Sequence, residues 1–258
     1  MKCVILAGGK GTRIAEESST RPKPMLEIGG RPILWHIMKT YAAFGIREFI
    51  VCLGYKGYIV KEYFANYFLH QADVTFDMAG NRVEYHDCRS EPWKVTLVDT
   101  GEESMTGGRL LHVGKYLDAG EPFCMTYGDG LANIDITAEI AFHKQCGLKA
   151  TVACVRAPAR FGRVAIEGTR VTSFEEKPNA EGGLINGGFF VLHPSVLDLI
   201  DGAKTVWEGE PMETLAATGQ LAAWIHLGFW QPMDTLRDKV HLNDLWDSGA
   251  APWKLWPS

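Results

Sequence analysis

The first half of the chain alternates continuous apolar runs with segments whose apolar positions recur every three to four residues. CVILA (3–7), EFIVCL (48–53), VTLVDT (95–100) and PFCMTYGD (122–129) read as strands. PILWHIMKTYAAF (32–44, with Pro32 at the first helical position), GYIVKEYFANYF (57–68) and a stretch near 107–117 read as helices. Apolar strands alternating with helices predict an α/β fold, a mixed but mostly parallel sheet with helices on both faces. Residues 70–94 are polar and break this rhythm, as an insertion or lid-like excursion would. Beyond them come a helix at 137–146, a strand at 149–156 and a more antiparallel stretch, GRVAIEG, RVTSFEEKP and INGGFFVLH. Helices at about 208–218 and 234–248 bracket LAAWIHL. No repeat and no linker rich in Pro, Gly or Ser divides the chain. The expectation is one domain, 1–258, whose halves meet near 135–136.

Composition narrows the classes of function. With 258 residues, 46% of them hydrophobic, the chain can bury a sizeable core. A net charge of -5 removes the electrostatic footprint of a nucleic-acid binder, so any anionic ligand has to be held by local cations. No apolar run approaches the ~18 residues of a membrane span, and the apolar start is too short for a signal peptide. None of the six cysteines forms a C-x-x-C pair and four lie in strand-like runs, which fits a reducing cytoplasm better than disulfides or a metal site. The eight histidines show no H-x-x-x-H pair, which disfavours zinc.

The candidate chemistry begins at LAGGKGTR (6–13). A P-loop fails because Lys10 is followed by Gly11, and a dinucleotide fingerprint fails because Ile14 stands where its third glycine belongs. The loop nonetheless suits phosphate. Gly8, Gly9 and Gly11 let main-chain N–H groups approach an anion, and Lys10, Arg13 and Lys23 can balance its charge. In RPKPMLEIGGRPIL (21–34) two prolines fix the backbone around Lys23.

Together with TYGDG (126–130), FEEKP (174–178) and INGGFFVL (185–192), these segments resemble the signature of the sugar-phosphate nucleotidyltransferases. The resemblance runs through nearly the whole chain. Three longer matches, GYKGYIVKEYFANYFLHQADVTF, EPWKVTLVDTG with MTGGRL, and GFWQPMDTLRDKVHLNDLW, resemble the branch of that family acting on CTP and glucose 1-phosphate. The resemblance implies the nucleotide-diphospho-sugar transferase fold and a reaction giving CDP-glucose and pyrophosphate with Mg²⁺. It also implies a homo-oligomer (hexamer or trimer), with the insertion and the tryptophan-bearing tail as candidate interfaces, and a supply of CDP-sugar precursors for dideoxysugars of the O-antigen type.

It further implies residue roles. Leu6, Ala7, Gly8, Gly9, Lys10, Gly11, Thr12, Arg13, Lys23, Ser104, Thr106, Gly108, Arg109 and Gly128 would contact the nucleotide. Among them, Arg13 would hold the departing phosphates and Lys23 the α-phosphate. Glu176, Lys177, Asn186 and Gly187 would hold the sugar phosphate, and Asp129 and Asp234 the magnesium. Asp234 taken alone reads as a helix N-cap, and Asp129 as a turn residue. The nucleophile is already an anion, so positioning and charge neutralisation are expected to replace a general base. Cytosine offers acceptors at O2 and N3, which a donor-only side chain would favour, and Arg109 is the candidate; a solvated arginine is the plain alternative. The same reaction with UTP or dTTP, and a non-catalytic sugar-nucleotide sensor, are the rival readings. A sensor would be expected to lack Arg13, Lys23 or a metal aspartate, and all are present.

Overall fold

A computed structural model describes residues 1–87, 90–156, 163–167, 170–175 and 183–257, with side chains except at 15, 16, 163–167 and 170–175. Strand β1 (Lys2–Leu6) leads through the glycine loop and the short helix α1 (Ala15–Ser18) to the pair β2 (Glu27–Ile28) and β3 (Arg31–Pro32). Helix α2 (Ile33–Ala43), β4 (Glu48–Leu53) and α3 (Gly57–Ala65) precede a hairpin of β5 (Asp73–Asp77) and β6 (Arg82–His86). Next come β7 (Lys94–Asp99), α4 (Thr106–Val113), β8 (Phe123–Tyr127) and the short β9 (Gly130–Ala132). The second half runs α5 (Ile136–Cys146), β10 (Ala150–Val155), the hairpin β11 (Arg163–Glu167) and β12 (Arg170–Glu175), and β13 (Ile185–Leu192). It ends with α6 (Glu210–Ala217), β14 (Leu221–His226), β15 (Trp230–Pro232) and α7 (Leu236–Asp247).

Strands of both halves build one seven-stranded sheet in the order β14-β10-β13-β8-β1-β4-β7. All neighbours are parallel except β13, which runs antiparallel to β8 and β10. The other six strands therefore point their carboxyl ends to one edge, where open α/β sheets bind ligands. Alternation along β1 splits the core: Cys3 and Ile5 face the cluster of α2, while Val4 and Leu6 face the cluster holding Phe190 and Trp207.

The polar excursion is largely the β5–β6 hairpin, registered Asp73 to His86 through Asp77 to Arg82. It leaves Phe76, Met78, Val83 and Tyr85 exposed. The tail behaves differently from a free interface segment. Trp253 is fully buried among Phe229, Trp246 and His36, and Trp256 packs edge-on against Trp35. Burial lowers His36 to about 4, so the neutral ring donates from Nε2 to the Ile28 carbonyl at 2.8 Å and accepts at Nδ1 from Trp253 Nε1 at 3.3 Å. At Trp253 the tail is core of its own chain, because a large apolar ring gains more from burial here than from solvent.

One buried carboxylate predicts a pH effect. Glu139, on the inner face of α5, is 1% exposed, and its Oε1 has no hydrogen-bond partner among the described residues. Burial raises its pKa from 4.5 to about 8. The folded protein thus favours the protonated form, so the stability it costs grows as pH rises through 4.5 and is complete above about 8. At pH 8.5 the Glu139→Gln variant is expected to exceed the parent in stability by a few kcal/mol, with the difference largely gone at pH 5. Thermal unfolding across that range tests this; a difference that does not change with pH refutes it.

Candidate active site

A cavity of about 600 Å³ opens at the carboxyl ends of β1 and β8. Leu6, Ala7, Gly8, Gly9, Gly11, Thr12 and Arg13 of the first loop line it, with Lys23, Ser104, Thr106, Arg109, Gly128, Asp129, Asn186 and Asp234. These are predicted site residues drawn from distant parts of the chain into one cleft. The loop leaves β1 at a crossing of main-chain bonds: Ala7 N–H donates to the Cys52 carbonyl and Gly128 N–H to the Leu6 carbonyl, both at 3.0 Å. Gly11 has φ +63°, a left-handed conformation that favours glycine.

The charged centre is compact. Lys23 Nζ donates to Asp129 Oδ2 at 2.6 Å and to Asp234 Oδ1 at 2.8 Å, and Arg13 donates to Asp234 Oδ2 at 3.2 Å. Burial works against the Lys23 charge, but the two carboxylates outweigh it and raise its pKa above the ordinary value. The aspartates meet because β9 and β15 pair antiparallel with Gly130 opposite Pro232, and Met233 N–H donates to the Asp129 carbonyl at 2.8 Å. The N-cap role belongs to Thr235, whose hydroxyl accepts from Asp238 N–H in a capping box. Asp234, one residue earlier, turns its carboxylate to Lys23 and Arg13.

Two carboxylates converging on one cation make the right donor set for a divalent ion. Hard oxygen donors suit Mg²⁺, which takes one or two protein carboxylates and completes its shell with phosphate and water. The lysine ammonium stands between the two carboxylates as a cation would, which supports the fit of Asp129 and Asp234.

Arg109 is not the solvated arginine of the plain alternative. It is buried, not solvated, and its terminal nitrogens are committed to the chain. They donate to the carbonyls of Leu53, Gly101, Gly8 and Glu102 at 3.1, 2.8, 3.0 and 3.1 Å, and to Thr100 Oγ1 at 2.8 Å. A Cβ at Gly8 would lie 2.2 Å from this guanidinium and one at Gly54 2.6 Å from it. These glycines admit Arg109, which clamps the phosphate loop to the turn at 100–102. It still lines the cavity, but cytosine reading by its terminal nitrogens would require breaking that clamp. Burial lowers its pKa from the ordinary value, against the pull of Cys52 and Asp99.

Other expected residues stand outside the cavity lining. Gly108 is close-packed: a Cβ there would lie 2.2 Å from the Ala203 carbonyl oxygen. Lys10 is exposed and pairs with Glu103 at 2.7 Å across the mouth. Gly187 lies behind the wall and accepts from Trp230 Nε1 at 2.7 Å. Glu176 and Lys177 fall outside the described residues. Sequence reasoning missed Tyr127, Met105 and Trp230, which add apolar and aromatic wall. The hint was their place inside TYGDG, MTGGRL and GFWQPMDTLRDKVHLNDLW, segments already singled out for their resemblance.

A family model described as nucleotidyl transferase matches residues 2–223. The glucose-1-phosphate cytidylyltransferase of Salmonella typhi is 62% identical over 256 residues, 99% of this chain and 100% of the relative. That of Salmonella typhimurium has the same identity and coverage. Among solved structures, HddC from Yersinia pseudotuberculosis superposes with a TM-score of 0.69 at 24% identity, covering 95% of this chain and 99% of that one.

Proposed function

The chain belongs to the nucleotidyl transferase family, and from that premise we propose that it transfers a cytidylyl group from CTP to glucose 1-phosphate, giving CDP-glucose and pyrophosphate. The choice of nucleotide and sugar rests on the 62% full-length identity to glucose-1-phosphate cytidylyltransferases. The observation that carries the chemistry is the convergence of Arg13, Lys23, Asp129 and Asp234 at the carboxyl edge of the sheet. A phosphate oxygen of the sugar forms a bond to the α-phosphorus as the bond from that phosphorus to the bridging oxygen of the leaving pyrophosphate breaks. No proton has to move, so the chain supplies position and positive charge.

Lys23 is the cation for the α-phosphate, and Arg13, more exposed at the cavity rim, for the departing phosphates. Asp129 and Asp234 hold Mg²⁺, which when bound offsets charge on the triphosphate. Main-chain N–H groups of the glycine loop cradle the phosphates, with Arg109 keeping the loop in shape. On the sugar side act Asn186 and, within FEEKP, Glu176 and Lys177. The same proposal includes a homo-oligomer that uses the exposed β5–β6 hairpin, work in a reducing cytoplasm, and supply of CDP-sugar precursors. Among the described residues no helix is long and apolar enough to cross a membrane.

Pyrophosphate release from a matrix of CTP, UTP and dTTP against several sugar 1-phosphates, with and without Mg²⁺, tests the reading. Release is expected to be greatest with CTP and glucose 1-phosphate and to vanish with chelator. Equal turnover with UTP would reverse the base assignment, and no release with any pair would favour a sensor.

A further inference from the structure

Glu208 lies outside the strands, helices and phosphate loop, in a segment that packs against the start of α4. Met105 N–H donates to the Ala203 carbonyl at 2.9 Å and Gly108 N–H to the Thr205 carbonyl at 3.2 Å. The approach is close because residues 107 and 108 are both glycine; a Cβ on Gly107 would stand 2.8 Å from the Thr205 carbonyl oxygen. From this fixed position Glu208 reaches two hydroxyls of the cavity wall. Its Oε2 accepts from Thr106 at 2.6 Å and its Oε1 accepts from Tyr127 in a short bond.

The two hydroxyls depend on Glu208 unequally. Thr106 Oγ1 is also held by Trp207 N–H at 2.9 Å. Among the described residues the Tyr127 hydroxyl has one other hydrogen bond, a long 3.5 Å donation from Asn186 Nδ2. Asn186 is itself oriented, since its Oδ1 accepts from Gly188 N–H at 2.8 Å. Gly188 has φ +77°, and a Cβ on it would lie 2.5 Å from the Tyr127 ring, so the ring rests directly on this backbone. With its proton given to Glu208, the phenol oxygen presents lone pairs to Asn186. Without Glu208 that proton could turn to Asn186 or to a substrate hydroxyl, and the hydroxyl would lose its strongest hydrogen bond among the described residues.

We propose that Glu208 is a positioning residue for the sugar phosphate: it holds the Tyr127 hydroxyl, and through it Asn186, in the arrangement that receives the pyranose hydroxyls. The inference rests on the proposed reading of the site and deepens it. Hydrogen bonds to a charged group are among the stronger ones, so Glu208→Ala is expected to raise KM for glucose 1-phosphate about tenfold. Tyr127→Phe, which keeps the ring and removes only the hydroxyl, is expected to do the same.

Steady-state pyrophosphate release, with each substrate varied in turn, provides the test. In both variants KM for CTP is expected to stay within about twofold of the parent, because Thr106 keeps its Trp207 tether. Melting temperature is expected to hold, and the double variant to be no worse than the weaker single one. The idea is overturned by an unchanged KM for glucose 1-phosphate in Glu208→Ala. It is also overturned if both KM values rise together with a lowered melting temperature, as for a purely structural strap, or if the two substitutions multiply. Turnover by the parent chain tests the proposed reaction itself, and only the ratio of variant to parent tests Glu208.

Discussion

Asp129→Asn is expected to lower pyrophosphate release from CTP and glucose 1-phosphate by about three orders of magnitude with Mg²⁺ present. The substitution keeps size and hydrogen-bonding reach and removes one of the two charges that converge in the cavity. Asp129 follows Gly128 at the end of β8, with its carboxylate 2.6 Å from Lys23 Nζ. Its backbone is held independently, since its carbonyl accepts from Met233 N–H and the preceding Gly128 N–H bonds to Leu6. The fold should therefore survive. The remaining Asp234 would hold a divalent ion more weakly, so the Mg²⁺ concentration for half-maximal rate is expected to rise. Turnover within tenfold of the parent at ordinary Mg²⁺ would remove Asp129 from the metal site.

The sequence made the strand runs legible because strands buried on both faces have to be apolar throughout, and the central sheet of an α/β fold is buried. The antiparallel course of INGGFFVLH was legible too, but the order of the strands was not, since it depends on which edges meet. Glycine in the first loop was readable as glycine, but not for the right neighbour. Gly8 is small mainly because Arg109, 101 residues away, lies on it. Arg109 after two glycines reads as a ligand contact, and it does line the cavity, but the five acceptors of its own chain that hold its terminal nitrogens were not legible because they come from segments brought together by the fold. Gly107 and Gly108 likewise fit the 203–205 backbone. Asp234 illustrates the opposite case: the local pattern allows a helix cap, and only the neighbouring Thr235 and Asp238 capping box shows that another residue takes that role. Glu208 carries no motif, and its importance lies wholly in two hydroxyls brought to it by the fold.

Lys23→Met is expected to act in opposite directions on catalysis and on metal binding. Loss of the cation nearest the reacting phosphate should lower kcat with CTP by about 10²–10³, the cost of removing one preorganised charge or donor at a developing anion. In the structure, however, the same ammonium occupies the point between Asp129 and Asp234, at 2.6 and 2.8 Å. A divalent ion entering alone has to displace it from a position that is only 11% exposed at the side chain. Removing it should tighten binding of Mn²⁺, used as a probe in place of Mg²⁺, by about tenfold or more, since both carboxylates would lose the ammonium between them while Asp234 keeps Arg13. Without metal the two carboxylates, no longer bridged by the ammonium, should lower the melting temperature, and Mn²⁺ should restore it. In the parent, by contrast, the incoming triphosphate gives the ammonium a second anion to move to while Pro22 and Pro24 hold its backbone. On the proposed reading, metal and nucleotide would be expected to enter together. Weaker Mn²⁺ binding in the methionine variant, measured by calorimetry or electron paramagnetic resonance, would show that Lys23 helps to build the metal site and does not compete for it.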